Sequence, residues 1–181
     1  MIETEPDKIE NVVEYLLWMW QAEDLVRAFE FNPLKIDEFV LSQVSEEKVG
    51  DLLRDWYHNL TKKMKRQGLE KKGHLEELNQ LLLELVYLHN TLLQVLKDEK
   101  YVQLFKVAQP HLEEFKKKSN LKVHEVEASM NGMYGLLLLK IQKKEISPAT
   151  EESLGTFKDL LQHLSLQYKK MKTGELNFTM N

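Results

Sequence analysis

From Leu75 to Leu96 apolar residues recur at alternating steps of three and four. Leu75, Leu78, Leu82, Leu85, His89, Leu92 and Leu96 form one line, and Leu83, Val86, Asn90 and Leu93 form a second. Glu84, Tyr87, Thr91 and Gln94 are left as a narrow polar edge. A helix that is apolar on nearly every side is a buried one, so this stretch, about 75–97, is expected to be the central helix, carrying His89 and Asn90 inward. The same periodicity, with different phase, marks the rest of the chain. Every residue from Val12 to Trp20 except Glu14 is apolar or aromatic, within a helix expected from near Pro6 (with Thr4 or Glu5 ahead of it) to about Phe29. Further down that helix, Glu23 and Arg27 are spaced for a surface pair. Glu23 also falls on the Val13, Leu16, Trp20 stripe, which would turn it inward.

Asn32 and Pro33 make a turn, followed by a short amphipathic piece with Leu34, Ile36, Phe39 and Val40. Ser45 is placed to cap the next helix. Its apolar side reads Val49, Leu53, Trp56, Leu60 and Met64, with Asp51, Asp55, His58 and Lys62 opposite and solvated. Asp98 is expected to cap a helix whose apolar face (Tyr101, Leu104, Phe105, Ala108, Leu112, Phe115) passes unbroken through Pro110. One kinked helix is the first reading, a corner of two helices the second. The segment from about Leu121 to Lys144 places Ala128, Gly132 and Gly135 on one face. Each glycine costs about 1 kcal/mol of helix propensity against alanine. Close approach of another helix backbone or of a large side chain, such as Trp18 or Trp20, would offset that, and a ligand in the same space is the alternative. The last helix opens at Ser147 and Pro148 and closes at Thr173 and Gly174. A tail over 175–181 either docks through Leu176 and Phe178 or frays.

These elements predict an all-α fold: a mostly antiparallel bundle of five or six helices around one central buried helix, forming a single domain over 1–174. Composition agrees, with only 7 glycines and 4 prolines in 181 residues. The absence of cysteine excludes a disulfide framework, a thiolate metal site and a thiol nucleophile, and is ordinary for a cytoplasmic protein. No basic stretch precedes an apolar run at the start, and 78–96 holds seven polar residues, so neither a secretory signal nor a membrane span is expected. Net charge is −4. The segment Lys62–Lys72, with six basic residues and Glu70, carries +5 and leaves −9 on the remainder. Lysines recur at the other helix ends inferred (116–118, 140–144, 169–172), where they answer the negative end of the helix dipole. This distribution argues against nucleic acid as a partner.

Candidate chemistry is sparse. A carboxylate-bridged di-iron bundle needs Glu-x-x-His on two helices, and the chain has none; Asp55 with His58 and His124 with Glu127 are the nearest spacings, both placed on exposed faces. No metal and no cofactor is expected. Neither a Gly-x-Ser-x-Gly elbow nor a glycine-rich phosphate loop occurs, which leans the reading away from an enzyme. The one polar constellation expected in apolar surroundings is His89 and Asn90 with Asn131 and Tyr134. It is either a hydrogen-bond network fixing helix register or the polar end of a small-molecule pocket.

Tyr87, Leu88, His89 and Asn90, the run MNGMYGLLLLK over 130–140 and the following KKEISP together resemble a family of uncharacterised bacterial proteins of about this length. The resemblance covers nearly the whole chain and implies a cytoplasmic helical fold. It brings no reaction, cofactor or site residue with it. The function expected from the sequence is therefore a non-catalytic interaction or scaffold protein that associates with protein partners or with a second copy of itself. A small-molecule binder or enzyme with a pocket near His89 is the alternative.

Overall fold

A computed structural model describes residues 5–44 and 46–176. Among these the chain is all-α, with seven α-helices: α1 (Val12–Ala28), α2 (Pro33–Gln43), α3 (Glu47–Arg66), α4 (Glu76–Asn90), α5 (Glu99–Lys118), α6 (Glu125–Ile141) and α7 (Pro148–Lys172). A π-helical turn, Thr91–Val95, follows α4 directly. The short amphipathic piece after Pro33 is a full helix, which takes the number past the five or six expected. Ser45 as a cap, Thr4 ahead of the first helix and Phe178 in the tail lie outside the described residues. No helix described is long and apolar enough to cross a membrane.

Capping explains most of the boundaries. Asp98 accepts the Tyr101 amide at 2.8 Å, Ser147 Oγ accepts that of Thr150, and Gly174, at φ +75°, closes α7 in the left-handed region. α5 runs unbroken through Pro110 as one helix. α1 begins later than its proline suggested. Asp7 turns the chain by accepting the amides of Ile9 and Glu10, and Asn11 then accepts the Glu14 amide at 3.1 Å while its own amide reaches the Glu14 carboxylate at 3.0 Å. That reciprocal box starts the helix at Val12.

The chain gathers into two compact units: Met1–Pro6 with Trp18–Gln80, and Asp7–Leu17 with Leu81–Asn181. The division falls inside α1 and inside α4.

In the first unit α2 and α3 pair antiparallel, with His58 Nε2 2.8 Å from Asp37 Oδ1 and Gly50 against Leu41. His58 is thus half-buried rather than solvated, and the face of α3 that is buried is Gly50, Tyr57, Leu60, Thr61 and Met64. Trp18 tilts against Trp56, with ring centroids 4.8 Å apart. The inward reading of Glu23 is the correct one. Its carboxylate is fully buried, accepts the Leu75 amide at 2.8 Å, and meets His74 Nδ1 at 2.6 Å, while the His74 ring stacks on Trp20. Arg27 instead pairs with Asp24 and donates to the carbonyls of Leu69 and Gly73. The lysine-rich loop is therefore tied down from within by two residues of α1.

In the second unit α5 and α7 run antiparallel: Tyr101 stacks on His163 at one level and His111 bonds Ser153 at another. α6 packs against both. Leu78, in the first unit, and Leu81, Leu85, Leu88, His89 and Leu92, in the second, are buried, whereas Leu83 and Tyr87 are 66% and 71% exposed and Val86, Asn90 and Leu93 are only half-buried. The expectation of a helix covered on nearly all sides is corrected accordingly. The segment is amphipathic, and its outer edge carries leucine and tyrosine where other helices carry lysine; lack of charge is not burial. Glu84, the single formal charge between Leu78 and Leu96 with His89 neutral, is held by Tyr168 and Lys172.

Candidate functional site

Two polar sites lie in the second unit. The first surrounds His89. Thr91 Oγ1 donates back to the Tyr87 carbonyl at 2.9 Å, and the backbone widens there, with the amide of Leu96 bonded to Thr91 and that of Asp98 to Leu92. This turn carries Asp98 and Tyr101 back toward α4. Tyr101 Oη lies 2.8 Å from His89 Nδ1, and the rings of Phe105 and His124 stand edge-on to the imidazole. His124 Nδ1 meanwhile accepts the Val126 amide and caps α6. His163 lies over Tyr101, its Nε2 3.3 Å from Asp98 and 3.1 Å from the Gln167 amide. Burial first, and then the neighbouring His124, pushes the His89 imidazole down to about 4, with Glu125 acting in the other direction. Burial also raises the Tyr101 hydroxyl far above its ordinary range. Two mutually bonded groups that both stay neutral near pH 7 form a structural latch. Among the described residues no cluster of His, Asp and Glu is arranged to hold a metal ion.

The second site is a cleft of about 400 Å³ walled by α5, α6 and α7. Phe115, Leu136, Leu139, Leu154 and Phe157 supply its apolar surface, and His111, Asn131 and Ser153 supply polar atoms, with Glu114 and Lys118 paired at the rim. Of the four residues singled out in the sequence, only Asn131 lines it. The amide of Asn131 donates to the Glu127 carbonyl of its own helix at 2.9 Å, so the expected meeting of His89 and Asn131 across helices is replaced by the His89–Tyr101 bond. Asn90 and Tyr134 are half-buried and outside the cleft lining. His111 and Ser153 carried no signal in the sequence, because neither lies in a motif and their contact joins separate helices.

The two glycines of α6 have opposite surroundings. A Cβ at Gly132 would meet Phe157 at 2.8 Å and Leu154 at 3.2 Å, so the large side chain it admits is Phe157 rather than a tryptophan. A Cβ at Gly135 would meet nothing within 4 Å, because it would enter the cleft. Gly132→Ala is therefore expected to destabilise by about 1 to 3 kcal/mol, through displacement of a fully buried ring. Gly135→Ala is expected to stabilise by about 1 kcal/mol. Urea melts of the two variants check this; a shared sign would mean that the cleft wall is not as described.

The chain belongs to the family described as Domain of unknown function (DUF4924), whose model matches residues 1–175. The likeness drawn from Tyr87–Asn90 and the run over 130–148 was to an uncharacterised family of this kind. No curated protein and no solved structure matches the chain.

Proposed function

We propose that this DUF4924 chain is a non-catalytic binding protein whose α5–α6–α7 cleft takes up a small molecule. The observation that carries the reading is Gly135. It stands in mid-helix with no neighbour that needs the room, and its missing side chain keeps open a cleft of the volume small-molecule sites have. A non-catalytic role is favoured by Ser153. Its hydroxyl has the Ala149 carbonyl at 3.0 Å as an acceptor besides the His111 nitrogen at 3.0 Å, so its one hydrogen is not committed to an imidazole base as that of an activated nucleophile is. A cytoplasmic location belongs to the same reading, favoured by the absence of cysteine.

Filling the cleft tests it. Gly135→Leu places a side chain in open space without disturbing a contact, so the fold is expected to persist. Fluorescence enhancement of 1-anilinonaphthalene-8-sulfonate is expected to fall about tenfold in that variant and to stay unchanged in Leu83→Lys. Equal enhancement in Gly135→Leu and the native chain would remove the reading.

A protein-binding or self-associating surface is the second reading, favoured by Leu83 and Tyr87, which stand exposed one turn apart on α4. Light scattering decides the self-associating form: a dimer that becomes a monomer in Leu83→Lys supports it, and a native monomer removes it.

A further inference from the structure

Resting on the binding reading above, we infer that the cleft's ligand is an amphipathic monocarboxylate, its head between His111 and Asn131 and its apolar body along Phe115, Leu136 and Leu139. Proton positions come first. The Ser153 hydroxyl has the Ala149 carbonyl as an acceptor at 3.0 Å, which leaves its oxygen to accept from His111 Nδ1, 3.0 Å away, whenever the ring carries a proton there. Among the described residues no hydrogen bond engages the other ring nitrogen, Nε2. In the neutral ring Nε2 is a lone pair; in the imidazolium both nitrogens donate. A carboxylate selects the imidazolium and turns a neutral hydrogen bond into a charge-assisted one. Asn131 supplies the second donor. One hydrogen of its amide nitrogen is taken by the Glu127 carbonyl and the other is open to the second carboxylate oxygen.

The charges around the cleft agree. Its ionisable lining residues are His111, Glu114 and Lys118, all on α5, and the walls from α6 and α7 contribute none. Glu114 is engaged by Lys118, which holds its carboxyl below the usual range, with a smaller pull from His111. A protonated His111 is thus the cationic group whose counter-ion a ligand would bring. Length fixes the body. From His111 to Lys118 along α5, and from Asn131 to Leu139 along α6, the lining spans about 10 to 12 Å at roughly 1.5 Å per residue. An extended alkyl acid of about eight carbons matches that with ordinary C–C bonds.

Calorimetric titration of the full chain at pH 8 with octanoate, 1-octanol and octylamine tests the inference. Octanoate is expected to bind about tenfold more tightly than 1-octanol, with octylamine weaker still. Binding of octanoate is expected to take up a proton, read from the heats in two buffers of different ionisation enthalpy, and to be lost in Gly135→Leu. In His111→Gln, octanoate is expected to fall to the level of 1-octanol while 1-octanol is unaffected. Tighter binding of 1-octanol or octylamine that Gly135→Leu abolishes would overturn the carboxylate and keep the cleft. Octanoate binding without proton uptake would overturn the role of His111, leaving Lys118 as the partner. Octanoate binding that survives Gly135→Leu would overturn the cleft itself, and no heat from any of the three would overturn the ligand class while leaving the dye experiment to judge the cleft.

Discussion

Glu23→Ala is expected to lower the unfolding free energy by about 3 to 5 kcal/mol, the range for removing one partner of a buried, hydrogen-bonded charge. The carboxylate has no exposed surface and both its oxygens are engaged, one by the Leu75 amide and one by His74 Nδ1. Leu75 is itself fully buried and sits immediately before α4, where the backbone amides have no intrahelical acceptor. Removing the carboxylate leaves that amide without an acceptor in a place water does not reach, and frees the His74 ring that Trp20 holds by stacking. Glu23→Gln keeps an oxygen for the Leu75 amide and is expected to recover about half of the loss. Asp24→Ala, one residue on, removes an exposed partner of Arg27 and is expected to cost less than about 1 kcal/mol. Urea melts with an unchanged m value provide the comparison. Should Glu23→Ala and Asp24→Ala come out alike, the buried carboxylate is not what fastens the start of α4.

The contrast between these neighbours shows which parts of the fold were legible. Features decided within four residues were readable: Asp98 and Ser147 as caps, Gly174 as a stop, and the continuity of α5 through Pro110, because the partner of each is set by its own helix. Asn11 with Glu14 is equally local, but Pro6 carries the stronger positional preference and draws the expected start of the helix toward itself. Glu23 stood undecided between a pair with Arg27 and the stripe it shares with Trp20. The choice is made by His74, far along the chain, which no spacing reveals. The polar constellation failed for the same reason. His89 was correctly placed inside, yet its partner Tyr101 arrives by way of a π turn that shifts the helical register, and Asn131 turns to its own backbone. The glycines of α6 each call for an explanation in the sequence, but one faces Phe157 and the other faces open space, a difference set by what the neighbouring helices place opposite each and not by either residue.

Stability is expected to fall by about 3 kcal/mol as the pH drops from about 6.5 to about 4, through His89. In the unfolded chain the imidazole has its ordinary value of 6.5, and in the fold it is pushed down to about 4. Above 6.5 both states carry the ring neutral and His89 adds no pH dependence. Between the two values the unfolded chain binds a proton that the folded chain refuses, so each step down favours unfolding; below about 4 both are protonated and the loss is complete. The groups facing the ring explain the direction. Tyr101 and Phe105 on α5 offer no charge, and His124 beside α6 opposes a second positive charge. Glu125, the carboxylate that acts in the other direction, is already paired with Lys116. His89→Gln keeps a hydrogen-bonding partner for the Tyr101 hydroxyl and has nothing to titrate. Chemical denaturation at half-unit intervals of pH is therefore expected to show a steep limb in the native chain that is shallower by about 3 kcal/mol in His89→Gln. Histidines that do not face the ring contribute to both proteins alike and cancel in the difference. Parallel limbs would mean that His89 takes its proton as readily in the fold as out of it, and would remove the latch of His89 and Tyr101 as a neutral, water-free pair.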